Sequence, residues 1–200
     1  MAKFIHYIIL TMFLNMNLYG DEQPDILKLS SISQFEKKYG KRAKNRLESY
    51  YQILNKTKTK STREQLININ NFFNRFQYKK DQINWNKSEY WANIKEFIIK
   101  GSGDCEDYAI AKYFTLLRLG VPPYKLKITY SKLLNKRTKT KIPHMVLTYV
   151  DYPGSQALIL DNTVKKILPF SKRNDLIIIK NPSIKKQISK KLDQLLIYKI

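Results

Sequence analysis

Two hundred residues, 43% of them hydrophobic and 12% aromatic, can bury one sizeable core, which excludes a disordered chain and leaves little room for a second domain. Lys and Arg number 37 against 16 Asp and Glu, a net charge of +21 that favours anionic partners such as nucleic acid or lipid headgroups. The lysines run along the whole chain, however, and no zinc finger, leucine zipper or ribonucleoprotein motif accompanies them, so nucleic acid is not read as a partner.

Residues 1–20 read as a signal peptide. Lys3 gives a short positive start, and "FIHYIILTMFLNMNLYG" then runs uncharged up to Asp21. His6, Asn15 and Asn17 interrupt it, which argues against a permanent transmembrane helix. Leu18 and Gly20 flank Tyr19 where two small residues would cleave better, so an uncleaved membrane anchor is the alternative. Residues 21–200 are then a single domain. Exported proteins commonly pair their cysteines, but this chain has one, Cys105, which can make no internal disulfide. It is either buried and inert or kept for its chemistry.

The segment 30–60 is polar and helical in part, closing on "NKTKTKSTRE". Ser61 and Glu64 have capping-box spacing and open a helix through "QLININNFFNRF". "INWNKSEYWANIKEFIIKGSG" follows, with Trp85 and Trp91 read as packing residues. From Asp104 the pattern is helical, and Ala109, Ile110, Tyr113, Phe114, Leu116, Leu117 and Leu119 predict a buried helix. Gly120 stops it and Pro122 and Pro123 forbid its continuation, so Cys105 sits in the first turn.

Beyond this helix the period becomes two. Leu126, Ile128 and Tyr130 alternate in "KLKITYS", and a basic loop follows at 132–141. "HMVLTYV" and "QALILDN" form a hairpin around "DYPGS". With Pro153 and Gly154 as the central pair of a type II turn, Asp161 pairs with Val146, diagonal to His144; a turn centred one residue earlier puts His144 opposite Asp161. Either register places the imidazole and the carboxylate on one face. "DLIIIKN" is a further strand and 183–198 a terminal helix.

Cysteine catalysis requires a thiolate, a base that makes it, and a group that fixes the base's tautomer. A helix N-terminus favours the thiolate at Cys105; His144 is the single histidine left once 1–20 is removed; Asp161 can orient it from the next strand. A helix cysteine followed by His and Asp on adjacent strands is the layout of a papain-like transglutaminase core, an α+β fold. The other reading is a buried helix cysteine and an unrelated strand-end histidine. Three carboxylates, Asp104, Glu106 and Asp107, crowd this thiol. The helix dipole accounts for one or two of them, but three would raise the thiol's pKa, a conflict that a bound divalent cation removes.

The stretches "YWANIKEFIIKGSGDCEDYAIAKYFTLLRLGV", "HMVLTYV" and "ALILDNTVKKILP" resemble the bacterial transglutaminase-like cysteine peptidases of the LapG type, over roughly residues 81–180. The resemblance implies N-terminal helices, a central cysteine helix on an antiparallel sheet, and a Cys-His-Asp protease with nucleophile Cys105, base His144 and orienting acid Asp161. It implies a calcium-dependent periplasmic enzyme that clips the N-terminal region of a large surface adhesin, releases it and disperses biofilm. An inner-membrane receptor for cyclic di-GMP would restrain it. Calcium suits hard oxygen ligands, with Asp104 and Glu106 the first choices and Asp107 the third. The alternatives are a transglutaminase-type acyltransferase and a non-catalytic binding module with a relict site.

Overall fold

The computed structural model describes residues 29–135 and 137–196; the segment read as a signal peptide lies outside them. One compact unit begins at Phe35. Helix α1 (Leu29–Tyr39) leads into α2 (Lys41–Thr57), so the polar stretch is more continuously helical than its composition suggests. The reason is a single apolar stripe: Ala43, Leu47, Tyr50, Tyr51 and Leu54 recur at helical spacing and are all buried. Helix α3 (Thr62–Phe73) starts at the Ser61–Glu64 capping box, as the spacing predicts.

The next stretch carries structure that periodicity does not reveal. Strand β1 (Gln77–Tyr78) is followed by the short helix α4 (Asp81–Asn84) and by α5 (Ile94–Lys100). Strand β2 (Ser102–Gly103) then pairs in parallel with β1, Tyr78 opposite Gly103. The Arg46 guanidinium donates to the Ile98 carbonyl at 2.6 Å and to that of Ile99, closing the C-terminal end of α5. Gly101 follows at φ +67°, a conformation that favours glycine, and a Cβ there would also lie 2.7 Å from the guanidinium, which would have to shift.

Helix α6 (Cys105–Arg118) is the central element, with Asp104 as its N-cap and Gly120 turning the chain at φ +88°. Tyr108, Ala109, Ile110, Ala111, Thr115 and Leu116 are buried. An aromatic cluster ties it to the helices before it: Phe73 stacks on Phe97 at 5.9 Å, and Phe97 meets Tyr108 edge-on at 5.0 Å.

Strands β3 (Leu126–Leu134), β4 (Lys141–Tyr149), β5 (Leu158–Leu160), β6 (Leu168–Pro169) and β7 (Leu176–Ile178) form one antiparallel sheet in the order β6-β5-β4-β3-β7. The basic loop is shorter than expected. Pairing of β3 with β4 continues to Leu134 and Lys141, and the Asn135 side chain accepts the Arg137 and Thr138 backbone N–H groups in the turn that remains. The β4–β5 register is the one centred on Pro153 and Gly154. Leu147 opposes Leu160, Ser155 N–H closes on the Tyr152 carbonyl at 3.0 Å, and Gly154 has φ +91°. Helix α7 (Pro182–Leu196) ends the described chain. Among the described residues no helix is long and apolar enough to cross a membrane.

One core residue breaks the pattern. Lys112, two turns along α6 from Cys105, is fully buried and its ammonium has no hydrogen-bond partner. Burial lowers its pKa to about 7, with the charge of Asp161 acting in the opposite direction. A base whose pKa is depressed on folding holds fewer protons folded than unfolded. Its cost to stability therefore grows as pH falls from about 10.5 to about 7 and is complete below that. Lys112→Met, nearly isosteric, should stabilise the fold near pH 7 by on the order of 2–4 kcal/mol and raise its melting temperature accordingly. The gain should shrink as calorimetric scans are repeated toward pH 10.

Candidate active site

The β1–β2 ladder and the Gly103 turn deliver the chain into α6 with Cys105 at its first position. The thiol is half-buried, and its Sγ–H donates to Glu106 Oε2 at 3.1 Å. Burial raises its pKa well above the ordinary thiol range, and the charges of Glu106 and Asp104 push it further. The Met145 backbone N–H acts on the sulfur in the opposite sense. Strand β4 therefore meets the start of α6 at the residue next to His144.

His144 and Asp161 are brought together as the hairpin register requires. Extending the observed pairing by one residue sets Asp161 opposite Val146, and His144 Nε2 lies 2.9 Å from Asp161 Oδ1. Both side chains are buried. The carboxylate is heavily supported. Thr163 donates its backbone N–H to Oδ1 at 3.0 Å and its hydroxyl to Oδ2 at 2.9 Å, and Arg173 Nη2 donates to Oδ2 at 2.8 Å. Asn74 holds the Asp161 carbonyl at 2.7 Å. Burial alone would raise the carboxyl's pKa, yet His144, Thr163 and Arg173 together hold it well below the usual range. An ionised Asp161 keeps the proton on Nε2 and leaves Nδ1 as the ring atom able to accept one.

The carboxylates before the thiol have the opposite character. Asp81, Asp104 and Asp107 each offer an oxygen, all within 4.8 Å of one another. Asp104 and Asp107 were expected from the sequence. The third is Asp81 rather than Glu106, which turns toward Cys105. Asp107 is fully buried: its Oδ1 accepts Ala92 N–H at 2.8 Å and its Oδ2 accepts Asp104 N–H at 3.3 Å. Asp81 accepts the Tyr90 N–H through Oδ2. A Cβ on residue 103 would fall 2.3 Å from Asp107 Oδ2, so only glycine lets this carboxylate in.

Burial, followed by the neighbouring negative charges, raises Asp104 and pushes Asp107 up to about 8; Asp81 moves in the same direction. Asp81 Oδ1 and Asp104 Oδ1 are buried with no hydrogen-bond partner. Orphaned, hard carboxylate oxygens facing one another fit a divalent cation of the calcium type. Calcium held by Asp81, Asp104 and Asp107 would supply two positive charges beside the thiol. Asp81 lies too far upstream for motif spacing to reveal it. Arg173 is indistinguishable by pattern among 37 basic residues.

Similarity to known proteins agrees with this geometry. The profile described as bacterial transglutaminase-like cysteine proteinase, BTLCP, matches residues 33–192. The chain belongs to that family, and its α+β architecture is the transglutaminase-like one. It is similar to calcium-bound LapG from Legionella pneumophila, at 38% identity and TM-score 0.64, over 76% of this chain and 83% of that one. A further LapG structure from Legionella pneumophila gives 34% identity and TM-score 0.67, over 83% and 96%. An EGTA-treated form gives 32% identity and TM-score 0.66, over 83% and 96%. No curated protein sequence matches.

Two outcomes follow. A carboxyl whose pKa is raised on folding binds more protons folded than unfolded, so its neighbours destabilise the fold increasingly as pH rises above about 4 toward about 8. Protein stripped of divalent ions should lose melting temperature between pH 5 and 7, and calcium in excess should remove that loss. Separately, Arg173→Ala leaves Asp161 buried without its cation and should destabilise by about 3 kcal/mol or more in urea titrations.

Proposed function

We propose that this chain is a calcium-dependent cysteine endopeptidase with Cys105 as nucleophile, His144 as base and Asp161 as orienting acid. The observation that carries the reading is the buried His144–Asp161 pair, carried on the strand that meets Cys105 at the head of α6. Sγ adds to the acyl carbon of the scissile peptide, and His144 Nδ1 takes the thiol proton and later gives it to the departing amine. Water then adds to the thioester and returns Cys105 to its starting state. Asp161 stays ionised throughout, because Thr163 and Arg173 hold its charge.

By likeness to LapG, the substrate in this reading is the N-terminal region of a large surface adhesin, released by cleavage so that biofilm disperses. The site of action is the periplasm, reached through residues 1–20, and an inner-membrane cyclic di-GMP receptor is the inhibitor. The family membership and the calcium-bound relative support this reading. Incubating the protein with surface proteins of its native host and mapping new N-termini by mass spectrometry is the test. Cys105→Ala should abolish the cleavage, His144→Ala nearly so, and Asp161→Asn should lose several orders of magnitude, about 10⁴ in the serine-protease analogue. Cleavage by folded Cys105→Ala would end the assignment, and isopeptide cross-links in place of new N-termini would make the protein an acyltransferase.

A further inference from the structure

Addition of Cys105 to an acyl carbon drives negative charge onto the carbonyl oxygen. One donor for that oxygen is in place. The Cys105 backbone N–H is the first of α6 and has no carbonyl within the helix to bond. Sites of this chemistry gain most from donors preset around the oxyanion. A second donor must sit beside the thiol, face solvent where a substrate arrives, and keep its proton at neutral pH.

Tyr78 meets all three conditions. It lies opposite Gly103 in the β1–β2 ladder, two residues before Cys105. Its strand is fixed on both sides: Lys79 N–H donates to the Gly103 carbonyl at 2.9 Å, and the Tyr108 hydroxyl donates to the Phe76 carbonyl at 2.6 Å. The residue is 52% exposed. Its hydroxyl is nonetheless raised to about 12, by burial first and then by the charges of Cys105, Asp104, Glu106 and Asp81. A hydroxyl within electrostatic reach of Cys105 and Asp104, on a residue paired with Gly103, lies on the Cys105 side of the ladder. Among the described residues that hydroxyl makes no protein hydrogen bond.

We propose that Tyr78 is a further catalytic residue, its phenolic O–H donating with the Cys105 N–H to the oxygen of the tetrahedral adduct. The S–C bond forms as the carbonyl π pair moves onto oxygen. When the pair returns, the C–N bond breaks and the amine leaves with the proton held by His144. Tyr78 keeps its own proton throughout. This role rests on Cys105 being the nucleophile.

Two reagents separate the oxyanion from the thiol. Acylation of Cys105 by p-nitrophenyl acetate passes through a tetrahedral oxyanion, whereas alkylation by iodoacetamide does not. With the full chain in calcium, Tyr78→Phe should slow p-nitrophenolate release at least about tenfold and leave the alkylation rate within about twofold. Tyr78→Ala should match Tyr78→Phe, and the melting temperature of Tyr78→Phe should stay at the wild-type value. Unchanged acylation in Tyr78→Phe overturns the proposal. So does a loss confined to Tyr78→Ala, which would make the ring a substrate wall, and so does a parallel fall in alkylation, which would place the effect on the thiol. A wild type that shows no Cys105-dependent acylation instead removes the nucleophile itself, and Tyr78's role with it.

Discussion

Negative charge crowded into the entrance of α6 is the constraint around which the rest of the site is arranged. Asp81, Asp104 and Asp107 converge there, and Glu106 bonds the thiol itself. Nothing in the helix dipole requires so many carboxylates, and burial, reinforced by their mutual repulsion, raises the pKa of all three converging groups. Two of them are pinned to the backbone of the segment before α5, Asp81 to Tyr90 and Asp107 to Ala92. The loop before α5 is thereby organised by the same oxygens that would hold an ion. Gly103 is part of the same arrangement, because any side chain there would evict Asp107.

Asp161 shows how completely surroundings decide the behaviour of a carboxyl. It is as buried as Asp107, yet its pKa moves the other way. The difference lies in the partners: an arginine, a hydroxyl, a backbone N–H and an imidazole against other carboxylates. Arg173 divides itself between Asp161 and Asp175, contacting the latter at 2.8 and 2.9 Å, so the segment after β6 is locked to the His–Asp pair. The fold thus holds two acidic centres of opposite electrostatic character, one at the head of α6 and one on the β4–β5 hairpin. One holds its charge permanently, and the other holds it only at a cost.

The parts of this arrangement that were legible in the sequence are those with local periodicity or local chemistry. The Pro153–Gly154 turn and alternating apolar residues bring His144 to Asp161, and the structure adopts that register. The cysteine helix, its Gly120 stop and the Ser61–Glu64 cap are equally local. What could not be read was long-range. A two-residue parallel ladder has no periodicity to detect, so β1 and β2 were invisible, and Asp81 arrives through that ladder's neighbourhood. Adjacent carboxylates are also alike on paper. Which of Asp104, Glu106 and Asp107 turns toward the thiol depends on side-chain packing, and Glu106 is the one that does. Lys112 reads as an ordinary helix lysine, and only the packing around α6 shows that it has no solvent to reach.

The protonated thiol changes the chain's exposure to chemical damage. Peroxides and disulfides react with thiolates far more readily than with thiols. While burial and Glu106 keep the proton on Cys105, the sulfur is a poor target for either. That protection matters more here than in a protein with paired cysteines. With one cysteine in the chain, a sulfenic acid at Cys105 has no second thiol to convert it to a recoverable internal disulfide. The carboxylates that hold the proton on the thiol also preserve it, and the sulfur becomes oxidisable only under the conditions that make it reactive.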